Sequence, residues 1–132
     1  MSRLLSRAKV ALENAEHNYK LISKDDCFLD ACCYNLQQAV ELSLKFLVEM
    51  TGQQYAENHD IRANLKILNR VDYHVSNEAE LRNKASTLYS WETESRYRES
   101  FVAVISDVEE VFALARALVD EAESKIRVET PG

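Results

Sequence analysis

The chain has one internal glycine, Gly52, and no internal proline; Pro131 and Gly132 lie at the extreme C-terminus. Tight reversals draw on residues that accept left-handed or fixed backbone angles, and a sheet needs many of them. With one such residue in the interior of 132, the economical solution is long helices joined by short polar connections. The length is that of one domain, large enough to bury a core. An apolar share of 46% with 29% charged residues suits a folded globular chain rather than a disordered one.

Apolar spacing predicts where the helices run. Leu4, Leu5, Ala8, Ala11, Leu12, Ala15, Tyr19 and Ile22 recur in steps of three and four and form one stripe, with Ser2 as a candidate N-cap. Ser23 to Asp26 interrupts the pattern and offers a cap for the next helix. That second helix is expected over Cys27–Thr51, ending at Gly52, which can take a left-handed C-terminal conformation. It is apolar around much of its circumference, as a central helix covered on several sides would be. One polar line interrupts it: Gln37, Glu41 and Lys45, spaced so that Glu41 and Lys45 can pair.

A shorter helix is expected from Asn58-His59-Asp60 to about Asn69, with Ile61, Leu65 and Leu68 inward. Asn77 and Glu80 have capping-box spacing, which predicts a fourth helix reaching Trp91 or Glu92. The last helix is the clearest: Phe101, Val104, Ile105, Val108, Val111, Phe112, Ala115, Leu118, Val119 and Ala122 hold one face for about six turns. Together these predict an all-α fold, an up-and-down bundle of three long and two shorter helices. It forms one domain over residues 1–127, with 128–132 as a frayed tail.

The net charge of −6 is unevenly spread. Residues 1–24 carry +3, 25–60 carry −6, 61–100 carry +1 from many charges of both signs, and 101–132 carry −4. A nucleic acid would therefore be met by a local patch rather than by the overall field. Cys27, Cys32 and Cys33 are odd in number, lack metal-ligand spacing and fall within a helical pattern, so buried reduced thiols are expected. Neither a signal peptide nor a membrane span is visible, and the expected location is the cytoplasm.

Several chemistries lack their residues. A phosphate-cradling loop needs glycines that are not present, no Gly-x-Ser-x-Gly elbow occurs, and no four Cys or His ligands converge. Glu13 and His17 share a helix face, but two ligands do not make a metal site; no metal or cofactor is called for. Two polar groupings remain. His59-Asp60 reads either as a capping pair, with Asp60 accepting amide hydrogens, or as a ligand-facing site. The run Trp91–Arg98 sets Arg96 beside Tyr97; Arg96 could clamp phosphate and Tyr97 stack on a base, or the two could neutralise and seal a helix end.

Three elements then point to a family. Gln37-Gln38-Ala39-Val40-Glu41, followed by Lys45, resembles the Gln-Gln-Ala-x-Glu-x-x-x-Lys helix of HEPN domains (higher eukaryotes and prokaryotes nucleotide-binding). His59-Asp60-Ile61 with Leu65 resembles the family's His-Asp-Leu/Ile element, and Ser95-Arg96-Tyr97 its Arg-Tyr element, in the same order along roughly residues 5–120. The resemblance implies a helical bundle, commonly a homodimer, often encoded beside a small nucleotidyltransferase in toxin–antitoxin pairs. Many members are metal-independent ribonucleases that use an Arg-x4–6-His motif, and here this chain departs. Arg70 and His74 have three residues between them. Arg82-Asn83 begins the Arg-Asn-x-x-x-His-x-Tyr version, with Tyr89 in the tyrosine's place, but Thr87 replaces the histidine and cannot act as an imidazole.

The expectation is a domain that binds a nucleotide, RNA or a small nucleotidyltransferase partner, without strong catalysis of its own. Its site would comprise Arg96, Tyr97, His59, Asp60, Gln37 and Glu41. The alternatives are a metal-independent ribonuclease toxin and a purely structural, self-associating helical module.

Overall fold

The computed structural model describes residues 2–95 and 103–129. Their regular structure is entirely helical: α1 (Leu4–Lys20), α2 (Cys27–Met50), α3 (Ile61–Arg70), α4 (Glu78–Asn83), α5 (Ala85–Glu94) and α6 (Ile105–Glu129). The predicted fourth helix is two helices. At Lys84 the backbone leaves helical geometry (ψ 0°) and its amide bonds both Glu80 and Leu81 carbonyls. The Lys84 ammonium is held by Asp107 and Glu110 of α6, each at 2.7 Å. Those hydrogen bonds raise the Lys84 ammonium above the usual lysine range.

The ends of the helices follow their residues closely. The N-cap of α1 is Arg3 rather than Ser2, yet the Ser2 hydroxyl accepts the Leu4 amide at 3.1 Å. Likewise Asp25, one residue before the N-cap Asp26, accepts the Cys27 amide on Oδ1 at 2.8 Å. At the end of α2, Gly52 sits at φ +82°; its amide bonds the Glu49 carbonyl, and that of Gln53 bonds the Val48 carbonyl. This is the Schellman arrangement that a glycine makes inexpensive. The predicted Asn77 capping box does not form: Asn77 is itself left-handed (φ 60°), and its side chain makes no cap hydrogen bond. Asp72 is left-handed as well (φ 58°), and Asp and Asn are the side chains that tolerate this conformation best.

α2 is the central rod. It packs against α1, α3, α5 and α6, and Leu36, Val40, Leu44, Leu47 and Val48 are almost wholly buried. Its closest neighbour is α1, whose Ala8, Ala11 and Ala15 bring little side chain between the two backbones. α3 contributes Ile61, Leu65 and Leu68; α5 contributes Leu88 and Trp91; α6 contributes Val108, Val111, Phe112, Ala115, Leu118, Val119 and Ala122. Val104 and Ile105, which share the apolar period, are exposed, because periodicity marks a face without showing that anything covers it. α6 extends through Val128 to Glu129. Phe101 lies outside the described residues.

The connection between α2 and α3 is pinned from both sides. The Gln53 carboxamide donates to the Ile67 carbonyl at 3.1 Å, and buried Asn64 bonds both the amide and the carbonyl of Ala56. Residues 53–60 are thereby laid across α2, and His59 is delivered to its polar line. In the connection that follows α3, Glu121 of α6 accepts from the Tyr73 hydroxyl at 2.5 Å and the Ser76 amide at 2.9 Å.

Candidate functional site

The polar line on α2 is not a solvated face. Gln37 is fully buried, and the side chains of Glu41 and Lys45 are only 5% and 11% exposed. A carboxylate taken out of water must find several donors or lose several kcal/mol of hydration, of the order found for buried ions. Glu41 finds three. Its Oε1 accepts from Gln37 Nε2 at 2.8 Å and from His59 Nδ1 at 2.9 Å, and its Oε2 takes the Lys45 ammonium at 3.2 Å. Because a carboxylate only accepts, Nδ1 of His59 carries the hydrogen. Gln37 is anchored in turn, its Oε1 accepting from Gln38 Nε2 at 2.7 Å, while Lys45 lies 5.1 Å over the Tyr55 ring.

The other nitrogen of the imidazole faces a second acid. His59 Nε2 is 3.7 Å from Oε1 of Glu92 on α5, a side chain only 8% exposed. That distance is too long for a direct hydrogen bond, and the contact is ionic only when the imidazole is protonated. One imidazole therefore joins two buried carboxylates from different helices, and its own side chain remains 47% exposed. The assembly can offer carboxylate acceptors and an imidazole edge to a ligand, with Lys45 as its nearest cation.

The six residues predicted for the site divide into three groups. Gln37, Glu41 and His59 are brought together as described. Asp60 is the N-cap of α3: its Oδ1 accepts the Arg62 amide at 3.0 Å, and its carboxylate is forked by the Arg62 guanidinium at 2.8–3.2 Å. The Arg62 hydrogen bonds hold the Asp60 carboxyl below the usual range. Arg96 and Tyr97 lie outside the described residues. Glu92 was missed, although its signal was present. Ala85, Leu88 and Glu92 share the buried stripe of α5, which Ser95 continues at the C-cap, and an acid on such a stripe must be paired.

The near-motif residues lie elsewhere. Asn69 Nδ2 is 3.2 Å from His74 Nδ1 and donates to Glu78 at 3.0 Å, while its Oδ1 accepts from Arg82 at 2.9 Å. This corner, where α3 turns into α4, is largely exposed. The cysteines are free: Cys32 and Cys33 are buried as expected, and Cys27, in the first turn of α2, is exposed instead. Burial pushes the Cys32 thiol up to about 12 and raises Cys33 also. A hydrogen bond with Asp25, followed by that acid's charge, raises Cys27. All three shifts favour the unreactive thiol. Among the described residues no cluster of three or more acids, cysteines or histidines could hold a metal ion, and no helix is long and apolar enough to cross a membrane.

No curated protein and no solved structure matches the chain. A family model does: the HEPN domain, over residues 1–125. The match takes in the Gln-Gln-Ala-x-Glu-x-x-x-Lys segment of α2 and the His59 element together with the all-helical bundle that joins them, and on that match the chain belongs to the HEPN domain family.

Proposed function

We propose that this domain binds a nucleotide or RNA at the Glu41–His59–Glu92 cluster, by recognition rather than cleavage. The observation that carries this reading is the half-exposed imidazole of His59 between two buried carboxylates, an arrangement costly to maintain for structure alone. The family is nucleotide-binding and ribonuclease-like in character. The ligand would meet the open edge of His59, with Glu41 and Gln37 behind it. Arg96 and Tyr97, two and three residues beyond the end of α5, would clamp phosphate and stack on a base. Asp60 would hold the start of α3 beside the ligand. Cleavage is not part of the reading, because no Arg-x4–6-His spacing occurs and Thr87 stands where the longer motif has its imidazole.

Titration of mononucleotides and short RNAs against the wild type, Arg96→Ala and His59→Ala tests this reading. Loss of a charge-assisted hydrogen bond is expected to weaken binding about tenfold or more in each variant. Affinity equal to wild type in Arg96→Ala would remove that residue from the site, and equal affinity in both variants would sink the reading. Incubation with RNA in chelator is expected to leave the RNA intact.

A further inference from the structure

A second polar recess lies one to two turns along α2 from the carboxylate cluster. It is a groove of about 500 Å³ between α1 and α2, reaching Ser95 at the end of α5. Three asparagines line it, Asn14 and Asn18 from α1 and Asn35 from α2, with Tyr34, Asp30 and Cys27. Asparagine is a poor helix former because its side chain competes for the backbone, so three inside helices at one groove carry a cost in helix stability. Two of them face each other: Asn18 Nδ2 donates to Asn35 Oδ1 at 2.8 Å. That bond leaves Asn18 Oδ1 and Asn35 Nδ2 with no hydrogen-bond partner among the described residues. Exchanging the oxygen and nitrogen of both carboxamides still leaves one acceptor beside one donor.

The electrostatics of the groove narrow the ligand. Asp30 lines it, and the charges of Asp25 and Asp26 act on Asp30 from the preceding turn. A phosphate would be repelled, whereas an amino group would be welcomed. We infer that this groove is a nucleobase subsite: the Asn18–Asn35 pair reads the donor–acceptor edge of an unpaired base, and Asp30 favours bases bearing an exocyclic amine. The inference rests on the reading that the domain binds RNA, and it adds which part of the RNA is read and where. Adenine and cytosine present an amine donor beside a ring acceptor, while uracil would turn a carbonyl oxygen toward Asp30. Asn35 and Glu41 are six residues apart on α2, about 9 Å at 1.5 Å per residue, so one strand can reach both the groove and His59.

The test uses short single-stranded homopolymers of A, C and U, labelled for fluorescence anisotropy, with the full chain. Wild type is expected to bind the A and C strands about tenfold more tightly than the U strand, the discrimination of one good base-edge pair. The Asn18→Ala/Asn35→Ala variant, which improves helix propensity and should therefore fold, is expected to lose that preference while binding the U strand as wild type does. Arg96→Ala is expected to weaken all three strands alike, which separates the phosphate site from the base groove. Equal affinity of wild type for the three strands, or a preference that survives the double substitution, overturns the inference and leaves the proposed function standing. No binding of any strand by wild type overturns the inference and the RNA half of the proposed function, and the mononucleotide titration then decides the other half.

Discussion

Two polar clusters in this molecule are built from the same kinds of residue and differ in their distance from water. The inner one joins Glu41, His59, Lys45 and Glu92, with the acids 5% and 8% exposed. The outer one joins Glu78, His74 and Arg82 through Asn69, with those three side chains 20%, 57% and 39% exposed. In the outer cluster each charge keeps much of its hydration, so its pairs add little and can be broken at little cost. In the inner cluster Glu41, Glu92 and Lys45 have lost nearly all of theirs while His59 stays half-exposed, so removing a partner of these three leaves a charge stranded. The same pairing that is an ornament at the α3–α4 corner is therefore an obligation beside α2.

The largest effect should come from removing the central acid. Glu41→Ala strands the Lys45 ammonium and leaves Gln37 and His59 without their shared acceptor, and it is expected to cost about 3–5 kcal/mol in urea unfolding. Glu78→Ala should cost about 1 kcal/mol or less by the same measurement. Equal losses would break the comparison.

A smaller effect, and of opposite distribution, is expected on acidification. Asp60 is held low by its Arg62 hydrogen bonds. Glu78, although burial pulls its carboxyl upward, is held low on balance by hydrogen bonds from Asn69 and Arg82 and by nearby positive charge. For a depressed carboxyl the unfolded chain takes up the proton first. The associated stability is therefore present above the ordinary carboxylate range and is lost as pH falls through the folded value. Denaturant unfolding from pH 7 down to about pH 3 should show a declining limb, flattened in Asp60→Asn and Glu78→Gln by under about 1 kcal/mol each. Limbs parallel to wild type would show that exposed acids do not set it.

The smallest effect concerns salt. Arg82→Ala should cost about 0.5 kcal/mol at low ionic strength, falling toward zero near 1 M salt, where screening reaches within about 3 Å. The Glu41→Ala penalty should persist there, because buried pairs are poorly screened. A Glu41 penalty that vanished with salt would mean that water already reaches the inner cluster.

Much of the architecture was legible in the chain because it follows from local rules. The bounds of α2 were readable to within a residue, since Gly52 is the one internal residue that adopts a left-handed turn freely. The long stripe of α6 and the inner face of α3 were readable from period alone. The break at Lys84 was not, because no glycine or proline marks it and the acids that hold its ammonium come from α6, more than twenty residues away. The capping box at Asn77 failed for a related reason: spacing shows that a cap could form, but the left-handed turn that brings the chain into α4 turns the side chain away from that role.

The site divides along the same line. The sequence by itself determined an all-helical bundle, a polar line of Gln37, Glu41 and Lys45 on α2, and His59-Asp60 at a helix start. Spacing and capping act within a few residues and leave their mark in the chain. Only the tertiary structure decided that the polar line is buried, that His59 crosses eighteen residues of chain to reach Glu41, and that Glu92 stands at its other nitrogen. Desolvation and long-range pairing depend on which helices cover one another, and no local rule encodes that.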